Sequence, residues 1–85
     1  MPHALTMNRT IVPALDRDRF LTRARALKTH FQSRGCQYWV FEDADIGGAF
    51  IEFAEGNDVD TLTAAYSSAP ESGVDPERIY REVAL

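Results

Sequence analysis

The sequence has a single cysteine, Cys36, so a disulfide within the chain is excluded. No histidine lies near Cys36, and we interpret it as a small apolar residue at the start of a strand rather than as a nucleophile. The two histidines, His3 and His30, lie far apart in the sequence, which does not favour a metal site of the Cys and His type. We therefore expect neither a metal nor a cofactor.

Long apolar runs are also missing. No run approaches the roughly 18 apolar residues that a membrane helix needs, and the first residues lack the basic-then-apolar order of a secretory signal. Together with the lone thiol, this predicts a cytoplasmic protein that does not bind membranes. The net charge of −4 disfavours nucleic acid as a partner. Positive charge is nevertheless concentrated in residues 17–34. We interpret this segment as a solvated helix face, and the alternative is that it binds an anionic ligand.

The chain of 85 residues is long enough for one domain with a thin core. Domains of this size are commonly stabilised by disulfides, by a metal or by a partner subunit. Because the first two are disfavoured here, the sequence points to oligomerisation.

The first half of the chain predicts a lead-in, a strand and a helix. Residues 1–8 carry no periodic signal and are interpreted as a flexible lead-in to a single domain over 9–85. Residues 9–15 are rich in β-branched side chains and predict a strand that Pro13 ends or distorts. Asp16 is suited to cap a helix over 17–34, and Gly35 is suited to end it. One apolar stripe at helical spacing supports this helix: Phe20, Ala24, Leu27 and Phe31.

The second half predicts a hairpin, a short helix and a last strand. Residues 36–42 and 49–55 are apolar and aromatic runs joined by a polar connection that contains glycine, which indicates an antiparallel pair. Asn57 or Asp58 can cap a short helix, in which Val59, Leu62 and Tyr66 form a second stripe. Residues 67–77 are interpreted as a loop, and 78–85 as a terminal strand.

This order of elements, βαββαβ, predicts an α+β fold of the ferredoxin-like type, in which two helices cover one face of a four-stranded antiparallel sheet. The second strand carries apolar side chains on both of its faces, with Tyr38 and Val40 on one side and Trp39 and Phe41 on the other. A sheet face left in water is expected to be polar, so the apolar second face indicates a cover. A second copy of the chain is the simplest candidate for this cover.

The small size, the aromatic second strand and the segment Gly48-Ala49-Phe50-Ile51-Glu52-Phe53 before a capped helix resemble the dimeric α+β barrel superfamily, which includes antibiotic-biosynthesis monooxygenase-like domains. The resemblance covers residues 9–85. It implies a homodimer whose sheets stack face to face, with a small-molecule pocket between sheet and helices or between the sheets. Cofactor-free oxygenases of this type commonly use Asn, Trp or His, and Asn8, Trp39 and His30 are present here.

The candidate site is the open sheet face. We expect Trp39, Phe41, Phe50 and Tyr80 to wall a pocket for a small apolar or aromatic molecule, with Glu82 at its edge. Glu52 or His30 is the candidate for proton transfer if the protein is a cofactor-independent oxygenase or isomerase.

The alternative is a non-catalytic dimerisation or protein-interaction module, in which the aromatic side chains form only an interface. The residues by themselves do not decide whether the protein is an enzyme.

Overall fold

The computed structural model describes residues 3–69 and 78–85. Its elements follow the order β1 (Ala4–Ile11), a short 3₁₀ helix (Ala14–Asp16), α1 (Arg17–Ser33), β2 (Gln37–Glu42), β3 (Ala49–Gly56), α2 (Val59–Ser67) and β4 (Tyr80–Arg81). The four strands form one antiparallel sheet in the order β2-β3-β1-β4. The predicted ferredoxin-like α+β fold is therefore confirmed.

The helix α1 matches its prediction closely. Its stripe of Phe20, Ala24, Leu27 and Phe31 is buried, and Gly35 adopts the positive φ of 77° that ends many helices. Asp16 occupies the N-cap position, but its carboxylate binds the Arg19 guanidinium at 2.7 Å and caps no backbone N–H. In α2 the predicted cap is confirmed, because Oδ1 of Asp58 accepts the Thr61 N–H at 2.7 Å.

The first strand begins at Ala4, so both the predicted start at residue 9 and the interpretation of 4–8 as a lead-in are wrong. The reason is an inverted pattern of polarity. Thr6 and Asn8 point toward the helices, whereas Leu5, Met7 and Ile11 lie on the exposed face. Polar residues on the covered face and apolar residues on the open face hide the period of two that identifies a strand.

The predicted terminal strand is confirmed in part. Only Tyr80–Arg81 of the described residues pairs with β1, at Leu5 and Ala4. The predicted loop over 67–77 falls mostly on residues outside the described ranges, and α2 extends to Ser67.

The core lies between the helices and one face of the sheet. Phe31 is its centre, because its ring stacks on Tyr38 at 5.5 Å and meets Tyr66 edge-on at 4.9 Å between centroids. A smaller cluster at the other end of α1 joins Phe20 to Phe50, with ring centroids 4.5 Å apart. Cys36 is buried as predicted, and burial raises the pKa of its thiol, which disfavours the thiolate form.

Candidate functional site

The face of the sheet opposite the helices is apolar across three strands. Strand register places Trp39, Phe53 and Met7 side by side in one row, and Phe41, Ile51 and Arg9 in the next. The Phe41 and Phe53 rings contact each other edge-on at 5.8 Å between centroids. These six residues, together with Glu55, Leu5 and Tyr80 in the row on the other side, are called the open face below.

Three aromatic side chains of this face are well exposed. Trp39 is 40% exposed, Phe41 is 54% exposed, and Tyr80, which pairs with Leu5 at the far side of the sheet, is 47% exposed. Contiguous apolar surface of this kind on a small domain marks a site of interaction with another molecule.

Two opposite charges lie on either side of the central row. Arg9 is one row above the pair Met7 and Phe53, and Glu55, which pairs with Leu5, is one row below. Neither side chain has an ion-pair partner within residues 3–69 and 78–85. The open face therefore has a positive group at one end and a negative group at the other.

The predicted pocket does not assemble as expected. Phe50 and Glu52 are buried on the helix side of β3, because pairing with β1 and β2 puts Ile51 and Phe53 beside Phe41 and Trp39 instead. The placement of Phe50 and Glu52 with Trp39 and Phe41 is thus wrong. Both faces of β3 carry large apolar residues, so alternation along one strand cannot identify the partner face without the register.

Glu52 belongs to a polar cluster under α1. Its side chain is only 8% exposed; Oε1 accepts a hydrogen bond from the Tyr38 hydroxyl, and the Arg23 guanidinium lies 3.8 Å from the same oxygen. Burial and this hydrogen bond raise the pKa of Tyr38, so its hydroxyl keeps the proton that it donates. Nearby, the hydroxyls of Thr6 and Tyr66 share a hydrogen bond, and burial raises the Tyr66 pKa.

The Glu52 carboxylate lies beneath α1, the helix that carries Arg23. The described cavities of this protein are lined by other residues. The geometry therefore favours a structural role for Glu52.

His30 lies at the junction of the two helices, away from the open face. Its Nε2–H donates to the Ala65 carbonyl at 2.8 Å, and the Ser68 hydroxyl lies 3.3 Å from the same nitrogen. The ring thus joins the end of α1 to the end of α2. The structure does not bring His30 near Glu52 or Trp39 in a shared cavity.

Glu82 follows β4 and extends its pairing with the N-terminus. Its backbone N–H donates to the His3 carbonyl at 2.8 Å, and its carboxylate lies 3.7 Å from Nδ1 of His3. Tyr80 shares the exposed face with Leu5, whereas Glu82 is at the corner of the sheet.

The connection between β2 and β3 is anchored to α1 by one carboxylate. Glu42 binds the Arg17 guanidinium through both oxygens, at 2.7 and 2.9 Å, and also accepts the Gly48 N–H at 2.9 Å. These contacts lower the pKa of Glu42 to about 2. Asp43 accepts the N–H groups of Asp45 and Ile46, so these acids serve the turn rather than a cation. Within the described residues, no group of three His, Cys, Asp or Glu side chains is arranged to hold a metal ion.

A cavity of about 430 Å³ opens beside this connection, at one end of the sheet. Its apolar lining includes Ile11, Phe50 and Ile51. Phe50 is the one predicted ligand residue found here, and Ile51 links the cavity to the open face.

Comparison of this chain with protein-family models, with curated proteins and with solved structures finds no match. Neither helix in the described part of the chain has the length and apolar character that crossing a membrane requires.

Proposed function

We propose that this protein is a dimerisation domain whose open face binds the open face of a second copy. The observation that carries the proposal is the apolar row Trp39, Phe53 and Met7 with Arg9 on one side and Glu55 on the other. Burying this row together with its exposed neighbours Phe41, Leu5 and Tyr80 removes apolar surface from water, and that is the main driving force of association.

The two charges support a second copy over an unrelated cover. In a dimer with a twofold axis each contact occurs twice, with the partners exchanged. Arg9 and Glu55 are separated by four residues along the strands and one strand across, or about 14 Å. An axis through the pair Met7 and Phe53 puts Arg9 of each copy opposite Glu55 of the other.

The same axis gives an acceptable angle between the sheets. The crossovers of βαβ units are right-handed. With this handedness, the twofold axis makes the strands of one copy cross those of the other at roughly −40°. Aligned sheets in known sandwiches cross at about −30°. Ionic contact and sheet packing therefore favour one and the same arrangement.

Light scattering on a sizing column tests the proposal. The native protein is expected to elute as a dimer. Arg9→Glu and Glu55→Arg each place like charges together and are expected to weaken the dimer, whereas the double variant restores opposite charges and is expected to regain it. Arg34→Glu, at the C-terminal end of α1, is the control. A native monomer, or a double variant as weak as both single variants, would contradict the reciprocal pairing.

A second candidate function is the binding of a small apolar or aromatic molecule. It is supported by the cavity of about 430 Å³ at the end of the open face, a volume typical of ligand sites. Indole and benzoate are suitable probes, with the amide NMR signals of Ile11 and Ile51 as reporters. Saturable shifts at these residues in the dimer would support this function, and their absence would leave dimerisation alone.

A further inference from the structure

Strand β2 has a free edge. It is the outermost strand in the order β2-β3-β1-β4, and within the described ranges its only partner is β3. The Asp43 N–H donates to the Ala49 carbonyl at 2.8 Å. Counting back from this hydrogen-bonded pair, every second residue of β2 directs its backbone groups to β3. Trp39 and Phe41 therefore direct their backbone groups to β3, while Tyr38 and Val40 direct theirs to the free edge.

This edge lacks the features that normally prevent strand addition. Proteins protect edge strands with proline, lysine, bulges or very short strands. Gln37–Glu42 has the sequence QYWVFE and pairs with β3 without a bulge over all six residues. The backbone groups of Tyr38 and Val40 are thus available to another extended chain.

A groove lies beside the edge, between β2 and α1. It has a volume of about 280 Å³, and its apolar lining includes Leu21, Ala24 and Val40. Two cations of α1, Arg25 and Lys28, line the same groove. Both are exposed, and neither has an ion-pair partner among residues 3–69 and 78–85.

We propose that β2 binds an extended acidic peptide as a fifth strand. Main-chain hydrogen bonds to Tyr38 and Val40 supply the affinity, as in other strand-addition complexes. Alternate side chains of the peptide point to the helix side, where a glutamate can lay its methylene groups on Leu21 and its carboxylate against Arg25 and Lys28. Charge complementarity thus selects an acidic sequence.

The same cations disfavour a second copy of this chain at the edge. Pairing of β2 with β2 of another copy around a twofold axis brings both α1 helices side by side on one face. Arg25 and Lys28 of each copy then approach the same two cations of the other, and like charges in an interface oppose association. The occupant is therefore a different, acidic chain, and its site is separate from the open face.

The test uses a fluorescein-labelled peptide of seven residues that alternates Glu and Val, titrated with the intact protein and followed by anisotropy. A peptide that alternates Lys and Val keeps the strand propensity and reverses the charge. A Glu and Val peptide with N-methyl groups on all of its backbone nitrogens keeps the charge and removes every main-chain donor, including those that face β2. We expect saturable binding of the first peptide and at least about tenfold weaker binding of the other two.

Protein variants complete the test. Arg25→Glu and Lys28→Glu are each expected to weaken binding of the acidic peptide by at least about tenfold, whereas Arg34→Glu, at the end of α1 outside the groove, leaves it unchanged. Circular dichroism confirms that each variant is folded. Equal binding of the acidic and basic peptides, equal binding of the N-methylated peptide, or no saturable binding by the native protein would overturn the proposal.

Discussion

The Tyr38 hydroxyl donates a hydrogen bond to the Glu52 carboxylate across two neighbouring strands, beneath α1. The two residues are diagonal neighbours, because Tyr38 pairs with Ala54 and Glu52 pairs with Val40. The Glu52 side chain is 8% exposed, and a buried carboxylate is costly unless donors and positive charge face it. Tyr38 supplies the hydrogen-bond donor and Arg23 supplies the positive charge. The contact between Tyr38 and Glu52 is therefore needed for the carboxylate to be buried in the core.

Replacement of Tyr38 by phenylalanine removes the donor and keeps the ring. The free energy of unfolding is expected to fall by about 1–3 kcal/mol, the cost of leaving a buried acceptor without its partner. Urea denaturation followed by Trp39 fluorescence measures it. Tyr80→Phe is the control, because Tyr80 is exposed and its change is expected to stay within about 0.5 kcal/mol. Equal midpoints for the two variants would contradict the role given to the Tyr38 hydroxyl.

Gly48→Ala is expected to destabilise the protein by about 1–3 kcal/mol, because a side chain at a positive φ is strained. The φ angle of Gly48 is 85°, and an added Cβ would lie 2.5 Å from the Val12 carbonyl oxygen. The melting temperature measures the effect. Gly47→Ala is the matched control, since nothing lies within 4 Å of its Cβ position. A Gly48→Ala protein as stable as the control would refute the close approach to Val12.

The contact between Glu42 and Arg17 predicts a specific loss of stability in acid. The pKa of Glu42 is lowered from 4.5 to about 2 in the folded protein, so its contribution is complete above pH 4.5 and disappears as pH falls toward 2. Unfolding free energies of native and Glu42→Gln protein, measured across this range, are expected to converge as pH falls. A constant difference between the two proteins from pH 7 to pH 2 would argue against this linkage.

Asp58→Ala is expected to lower the free energy of unfolding by about 1 kcal/mol, because the Thr61 N–H at the start of α2 loses its acceptor. Chemical denaturation measures the loss. Asp58→Asn keeps a side-chain oxygen at the same position and is expected to retain most of the stability. If Asn and Ala behave alike, the cap does not contribute through this hydrogen bond.

Helices and hairpin could be predicted from the sequence because each has a local signal. The stripe from Phe20 to Phe31 and the caps at Gly35 and Asp58 depend on neighbours within one or two turns. The start of β1 gave no such signal, because Thr6 sits on the covered face.

The candidate site was harder to predict because it depends on register. Trp39 and Phe41 were placed correctly on the open face, but their neighbours are Phe53 and Ile51, not Phe50 and Glu52. Register joins residues that are distant in sequence, such as Arg9 and Ile51, so alternation within one strand could not identify them. The sequence shows that the side chains of residues 49–55 alternate between two faces. Only the pairing with β2 decides which of the two sets lies beside Trp39.

Because both sides of β3 are apolar, shifting that strand by one residue would exchange one set of large apolar side chains for another. Hydrophobic burial alone would therefore tolerate the shifted sheet. The shift would carry the Glu52 carboxylate to the surface and leave the Tyr38 hydroxyl buried without its acceptor. The hydrogen bond between Tyr38 and Glu52 therefore favours the observed register of β3. The apolar residues around it stabilise the sheet without distinguishing between the two registers.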